Sequence, residues 1–176
     1  MAALALLCSA LCTPLHAAGD YASKMKLRYT SQSGKTPSEG AWMEYSLPIG
    51  NGQLGGSLFG GVHKDEIQFN EKTLWTGKTS DMQGYGGGYG QYKNFGSIYV
   101  EDLSGVFLPG KDGEVKDYVR SLDLQEGIGR VVCSSDQYMT SYDRTYFVSN
   151  PDKVMVARYT ATGKKKLHLL FSFAPG

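Results

Sequence analysis

Carboxylate side chains are the groups in this sequence that are numerous enough to suggest acid–base chemistry. Two carboxylates held facing one another across a cleft can act as a general acid and a general base. Most of the candidates flank turns in polar company, where solvation is the default state. They are Glu44, Asp65, Glu66, Glu71, Asp81, Glu101 and Asp102. Spacing along the chain selects no facing pair among them, because only a fold can bring such a pair together.

Metal and nucleophile chemistry find no support in the spacing of the remaining reactive residues. His63 and His168 lie in separate strands or turns, without the His, Cys and carboxylate spacings of a zinc site. No G-x-S-x-G nucleophile elbow occurs. We therefore expect neither a metal site nor a cofactor.

Cys133 is the one cysteine outside the amino-terminal apolar segment, and it lies in "RVVCSSD". The alternation of this stretch predicts a buried strand position. A reactive thiolate requires a nearby base, and no such arrangement is visible. We expect an inert core residue.

A glycine cluster, "GYGGGYG" at residues 84–90, raises the possibility of a phosphate-binding loop. It lacks a Gly-Lys-Ser/Thr ending and the G-x-G-x-x-G spacing, and no helical pattern follows it. The pattern instead indicates a surface connection carrying Tyr85 and Tyr89, with stacking of these tyrosines on sugar rings as the alternative.

The amino-terminal segment and the charge balance indicate an exported protein without a membrane span. The run "AALALLCSALCTPL" followed by "HAAG" has the length and the small residues of a signal peptide, which we assign to residues 1–18. It is too short to cross a bilayer, and no longer apolar run follows. With 18 basic and 17 acidic residues, the chain has no electrostatic reason to bind nucleic acid. A periplasmic or extracellular location is expected.

The elements that must position any site are strands. In "KKKLHLLFSF", Leu167, Leu169, Phe171 and Phe173 share one face, which is the period of two of a half-buried strand. Similar extended segments recur about every ten to twelve residues, separated by turn signals. This spacing predicts an all-β fold, an antiparallel sandwich over residues 25–176.

The stretch from Trp42 to Gly77 predicts three successive strands. The first ends in an Asn51-Gly52 turn, of the kind that allows positive φ at both central residues. The return strand carries glycines at positions 55, 56, 60 and 61, which remove side-chain bulk. A bare strand of this kind is expected to receive another domain directly on its backbone.

The same stretch closely resembles the amino-terminal domain of glycoside hydrolase family 95, the bacterial exo-acting α-L-fucosidases. The matching residues are Leu47, Pro48, Ile49, Gly50, Asn51, Gly52, Leu54, Gly55, Phe59, Gly60, Gly61, Val62, Glu66, Ile67, Gln68, Asn70, Glu71, Thr73, Leu74, Trp75 and Gly77. The resemblance continues through "YGQYKNFGSIYVE", "YVRSLDLQEGIGRV" and "YDRTYFVSNPDKVMVARYTA". It therefore covers nearly everything after the signal segment.

This resemblance implies a β-sandwich followed by a linker, a catalytic (α/α)6 barrel and a small β domain in an inverting fucoside hydrolase. The carboxylic acid and the asparagine-assisted water of that mechanism belong to the barrel, which is absent from this chain. No catalytic residue can therefore be assigned here, and the sandwich itself is expected to be incomplete at its carboxy end. The alternatives are a free-standing carbohydrate-binding β-sandwich module and a structural or adhesive surface domain.

Five residues form the candidate domain-interface or sugar-proximal site. They are Asn51, Gly52, Asn70, Glu71 and Trp75. We expect them to dock on the helical catalytic domain of the same polypeptide, near the mouth that binds a fucosylated glycan. The alternative is that Trp75 is a core residue and that the glycines only shape turns and bulges. Whether the parent enzyme cleaves fucose or galactose is left open by the sequence.

Overall fold

The structure is a computed structural model, and it describes residues 25–33, 45–76, 91–109 and 114–176. Several predictions lie outside these residues. They concern the signal segment at 1–18, the glycine loop with Tyr85 and Tyr89, and the carboxylates of Glu44 and Asp81.

Twelve β-strands make up the described part of the chain. They are β1 (Lys26–Tyr29), β2 (Leu47–Gly50), β3 (Leu54–Leu58), β4 (Lys64–Glu71), β5 (Trp75–Thr76), β6 (Gln91–Tyr92), β7 (Gly96–Asp102), β8 (Lys116–Asp123), β9 (Ile128–Ser135), β10 (Thr140–Val148), β11 (Met155–Gly163) and β12 (Leu169–Pro175). Within the described ranges, no helix is long and apolar enough to cross a membrane.

Two five-stranded antiparallel sheets pack face to face. Sheet A has the order β1-β8-β9-β10-β11, and sheet B has the order β12-β7-β4-β3-β2. Strands β5 and β6 form a separate two-stranded ribbon. This arrangement confirms the predicted all-β antiparallel sandwich.

Alternation along the strands explains how the two sheets form a core. In β10, Tyr142 and Tyr146 face inward and are 1% exposed, while Ser141 on the other face is exposed. The partner strand β9 supplies Val131 and Cys133 to the same core. Sheet B contributes from its inner face an apolar set comprising Leu47, Ile49, Leu58 and Ile67. These side chains are removed from water on both sides of the sandwich, which is the main stabilising contribution to such a fold.

Cys133 is fully buried and unpaired, as the sequence predicts. Burial raises the pKa of its thiol to about 11. The thiol is therefore protonated near neutral pH and is a poor nucleophile, which confirms the inert core assignment.

A buried ionic cluster joins the two sheets at the centre of the molecule. The Arg144 guanidinium on β10 donates hydrogen bonds to the carbonyl oxygens of Gly61 and Val62, and lies 3.6 Å from the Asp65 carboxylate on β4. The hydroxyls of Tyr146 and Tyr159 donate to the same carboxylate. Burial, followed by the charge of Asp65, raises the pKa of Tyr146, so that its hydroxyl stays a donor. Residues 79 or more positions apart in the sequence thus meet, which no local pattern indicates.

Strand β12 departs from the prediction that its apolar face is buried. Its register places Phe171 opposite Val100 and Phe173 opposite Ile98, so both point to the inner face of sheet B. Yet Phe171 is 59% and Phe173 is 54% exposed. The alternation was predicted correctly and the burial was not, because β12 is the edge strand of sheet B and sheet A does not extend over it.

Candidate functional site

The Asn51-Gly52 turn connects β2 and β3 and is held by the Asn51 side chain. Its Oδ1 accepts hydrogen bonds from the backbone N–H groups of Gln53 and Leu54, at 2.9 and 2.8 Å. Its Nδ2 donates to the carbonyl oxygen of Ser149, in the loop between β10 and β11, at 2.6 Å. Both polar atoms of Asn51 therefore serve the fold, closing a turn and tying it to the opposite sheet.

The backbone of this turn differs from the one predicted. Gly52 has φ of +84°, whereas Asn51 is not among the described residues with positive φ. The Asn51 N–H donates to the Leu54 carbonyl oxygen at 3.1 Å, so Asn51 is the first residue of the turn and Gly52 and Gln53 are its central residues. A turn centred on Asn51 and Gly52, with positive φ at both, is therefore not formed. The Asn51 side chain instead closes an Asx turn around Gly52.

The end of β4 folds back onto that turn. The Lys72 N–H donates to the Gln53 carbonyl at 2.9 Å, which fixes the β4 terminus beside the β2–β3 turn. One carboxylate oxygen of Glu71 accepts hydrogen bonds from the Thr73 hydroxyl and the Thr73 N–H. These bonds, that of the hydroxyl first, lower the pKa of Glu71. The side chain is consequently an anion that stabilises its own turn.

Trp75 lies in β5, immediately after this turn, and its side chain is 51% exposed. The backbone N–H of Trp75 donates to the Thr73 carbonyl, and the residue pairs with Tyr92 of β6. In this chain, therefore, Trp75 is a surface residue rather than a core residue.

Two adjoining concavities share Gly55 and Asn70. The smaller, of about 310 Å³, is lined by Gly50, Gly52, Gln53, Leu54, Gly55, Asn70, Glu71 and Lys72. The larger, of about 490 Å³, is lined by Pro48, Ile49, Gly55, Gly56, Ser57, Gln68, Phe69, Asn70 and Asn94. The structure thus brings together Gly52, Asn70 and Glu71 from the predicted set. Asn51 and Trp75 line neither concavity.

The larger concavity contains residues that the sequence analysis did not select. Alternation puts Gln68 and Asn70 on the face of β4 opposite to buried Ile67, and the register pairs Gln68 with Ser57. Asn94 comes from the segment between β6 and β7. Period-two counting from Asn70 could have identified Gln68, whereas Asn94 is brought in by the pairing of sheet strands.

Of the four glycines singled out in the sequence, only Gly55 leaves open surface. A Cβ atom on Gly55 would meet nothing nearer than the Ile49 carbonyl oxygen at 4.0 Å. A Cβ atom on Gly56 would meet Met155 in the core, and one on Gly60 would meet Arg120 and Tyr118. A Cβ atom on Gly61 would lie 2.0 Å from the Lys64 carbonyl oxygen. Internal packing and a tight turn therefore account for three of the four glycines.

The remaining candidate carboxylates are engaged within the domain. Glu66 accepts hydrogen bonds from Ser97 and Tyr99, and Asp102 accepts them from Ser104. Glu101 lies 3.4 Å from the ring of His63. The described residues contain no cluster of His, Cys, Asp or Glu that could hold a metal ion. The arrangement supplies hydrogen-bonding groups for a ligand or a neighbouring domain rather than an acid–base pair.

The family is decided by a comparison with protein-family models. The model "Glycosyl hydrolase family 65, N-terminal domain" matches residues 27–89 and 78–175. The chain belongs to this family. The residues matched by this model of the glycosyl hydrolase family 65 N-terminal domain include strands of both sheets. They also include Gly52, Asn70 and Glu71.

Two curated proteins are similar in sequence to this chain. The domain is 28% identical over 160 residues to Alpha-L-fucosidase 2 of Arabidopsis thaliana, covering 73% of this chain and 18% of that protein. It is 25% identical over 142 residues to Probable alpha-fucosidase A of Aspergillus oryzae, covering 65% of this chain and 19% of that protein. These likenesses confirm the expected resemblance to the amino-terminal domain of a fucosidase-like glycoside hydrolase. The chain spans less than a fifth of the length of either relative.

Proposed function

We propose that this chain is the amino-terminal, non-catalytic domain of an exported family 95 glycoside hydrolase that removes terminal fucose from glycans with inversion. The likeness to Alpha-L-fucosidase 2 of Arabidopsis thaliana carries the proposal. The engagement of Asp65, Glu66, Glu71 and Asp102 by donors inside the domain supports a non-catalytic role. The acid and the activated water then belong to the helical domain of the complete enzyme.

Fucose release from a 2′-fucosylated oligosaccharide tests the activity. The polypeptide encoded by the complete reading frame should release fucose, and the 176-residue chain should release none above a blank. Turnover by the 176-residue chain that Glu71→Gln abolishes would contradict the non-catalytic role. A complete polypeptide that releases galactose instead would keep the domain assignment and overturn the choice of sugar.

The end of the sandwich that carries Gly52, Asn70, Glu71 and Trp75 is proposed to dock on the helical domain. Exposure of half of a tryptophan side chain to water is unfavourable in free energy, and tryptophan is a common anchor residue of interfaces. Trp75 follows closely in sequence Glu71 and Lys72, which line the smaller concavity, and Gly55 in that concavity leaves space for another backbone to approach. Docking would place the two concavities near the sugar-binding mouth.

Trp75→Ala is the variant that tests docking, and Leu103→Ala is its control. Leu103 is 43% exposed and follows β7 at the end that pairs with Lys64, which is the end of sheet B opposite to Asn70 and Glu71. In the complete enzyme, Trp75→Ala should raise the KM or loosen the domains, measured by limited proteolysis of the linker. In the 176-residue chain, it should destabilise by less than the roughly 3–5 kcal/mol of an emptied core site. Equal behaviour of the two variants in the complete enzyme would contradict docking at this end.

Carbohydrate binding by the domain itself is the second candidate function, and the larger concavity favours it. Amide side chains of Gln68, Asn70 and Asn94 surround a space of about 490 Å³, and amides commonly hydrogen-bond sugar hydroxyls. Calorimetric titration of the 176-residue chain with fucosylated oligosaccharides distinguishes the two functions. Saturable binding that Asn70→Ala removes would favour a binding module, and its absence would favour the docking role.

A further inference from the structure

A row of aromatic side chains runs from the core of the sandwich to its exposed surface. Tyr146 in the core is 1% exposed, and its ring centroid lies 6.0 Å from that of Tyr159 on β11. The ring of Tyr159 in turn lies 6.2 Å from that of Phe171, which is 59% exposed. The ring contacts therefore lead without interruption from a fully buried side chain to one exposed to solvent.

The same face extends along sheet B. Phe173 is 54% exposed, and its ring centroid is 6.1 Å from that of Phe69. Phe69 also contacts Phe95, at 4.9 Å, and Phe95 is 44% exposed. Large apolar side chains clustered on one exposed face indicate a contact surface rather than ordinary solvent exposure.

The strand edges beside this face lack partners within the residues that the structure describes. In those ranges β11 pairs with β10 alone, and β12 pairs with β7 alone. The nine residues of β11 contain no proline, and such a free edge offers a row of backbone donors and acceptors to another strand.

The geometry selects which sheet is extended. A strand added to β12 would lengthen sheet B and leave the inner face of Phe171 and Phe173 open. A strand added to β11 would lengthen sheet A and lie directly over that face. Only the second arrangement both pairs a free strand edge and buries the side chains of Phe171 and Phe173.

We propose that a further β-strand of the same polypeptide, from outside these 176 residues, pairs with β11 and covers Phe171 and Phe173 with its apolar side chains. The relatives leave ample chain to supply it, since this sequence spans only 18% and 19% of their lengths. A strand is preferred to a docked helix because it also satisfies the edge of β11. The inference concerns the completion of the sandwich and does not depend on the enzymatic activity.

Neighbouring residues on opposite faces of β12 provide a matched test. Phe171 is 59% and Leu170 is 50% exposed, but only Phe171 faces the proposed strand. In the 176-residue chain, Phe171→Ser and Leu170→Ser should lower the melting temperature by similar small amounts. In the polypeptide encoded by the complete reading frame, Phe171→Ser should lower it by roughly 5–10 °C more than Leu170→Ser.

Hydrogen exchange of the unsubstituted proteins tests the pairing itself. Within Met155–Gly163, the alternate amides that point away from β10 should exchange at least about tenfold more slowly in the complete polypeptide than in the 176-residue chain. Equal exchange in both would overturn the added strand, including the case in which Phe171 is covered by some other structure. A dimer of the 176-residue chain whose β11 amides are already protected would also overturn it, because a second copy would then cover the face.

Discussion

At the scale of single residues, Asn51 combines two tasks that are usually separate. Its side-chain oxygen closes the β2–β3 turn, and its side-chain nitrogen reaches the Ser149 carbonyl of the opposite sheet. An asparagine presents both an acceptor and a donor on one short side chain. The residue therefore has a structural reason to be asparagine, whatever its distance from a sugar.

Substitution of Asn51 separates these two tasks. Asn51→Asp keeps the acceptor and loses the donor, while placing a negative charge against the Ser149 carbonyl. Asn51→Ala loses both and should lower the free energy of unfolding by about 1–3 kcal/mol. Urea denaturation measures the change, and Asn150→Ala, at an exposed position in the neighbouring loop, is the control. An Asn51→Ala variant as stable as this control would show that the tie to Ser149 contributes nothing.

At the scale of elements, β3 illustrates how adjacent glycines differ in role. Gly55 faces open space, whereas Gly56 leaves room for Met155 and Gly61 permits the tight turn before β4. A glycine-rich segment suggests a surface without side chains. Whether each glycine leaves open surface or makes room for a core side chain depends on its position relative to the core.

Alanine substitutions along this segment should reproduce that difference. Gly55→Ala should change the free energy of unfolding of the 176-residue chain by less than about 0.5 kcal/mol or stabilise it slightly, since Cβ meets no neighbour. Gly61→Ala should destabilise by about 2–3 kcal/mol, because backbone and not a flexible side chain blocks the Cβ. Thermal melting distinguishes the two. A strong loss for Gly55→Ala would mean that this position is already occupied within the domain.

The elements were largely predictable from the sequence, and their burial was less so. Period-two alternation identified β12 and the stretch of β9 around Cys133, and turn signals between the other extended segments indicated an antiparallel sandwich. The exposure of Phe171 could not be predicted, because it depends on how far one sheet extends over the other. Asn51 does not have a positive φ because the turn is closed between Asn51 and Leu54, which leaves Gly52 and Gln53 as its central residues.

At the scale of the whole molecule, the two sheets are joined by polar as well as apolar contacts. Arg144 donates to carbonyl groups at the β3–β4 turn, and the Tyr118 hydroxyl donates to the Gly60 carbonyl at 2.7 Å. These partners are far apart in sequence, so periodicity and motif spacing gave no sign of them. The candidate site was predictable only in its β2–β4 part, where one continuous segment supplies the residues.

Two arginine substitutions compare a buried ion pair with an exposed one. Arg144→Leu leaves the Asp65 carboxylate without its cation in the core and should lower the free energy of unfolding by about 3–5 kcal/mol. Arg130→Leu removes an exposed pair with Asp143 and should change it by less than about 1 kcal/mol. Chemical denaturation gives both values. Similar effects of the two variants would show that the buried cluster does not hold the sheets together.

The order of strands in the two sheets has a consequence for the time course of folding. Strands β8 to β11 are joined by consecutive hairpins, so most of sheet A requires only short loop closures. Strand β12 must instead pair with β7, across the whole of that meander. Since long closures are slow, sheet A should form while β7 still lacks one neighbour. During synthesis on the ribosome, the edge of β7 is then open until Leu169–Pro175 has emerged, and over that interval a chaperone or a neighbouring nascent chain has access to it.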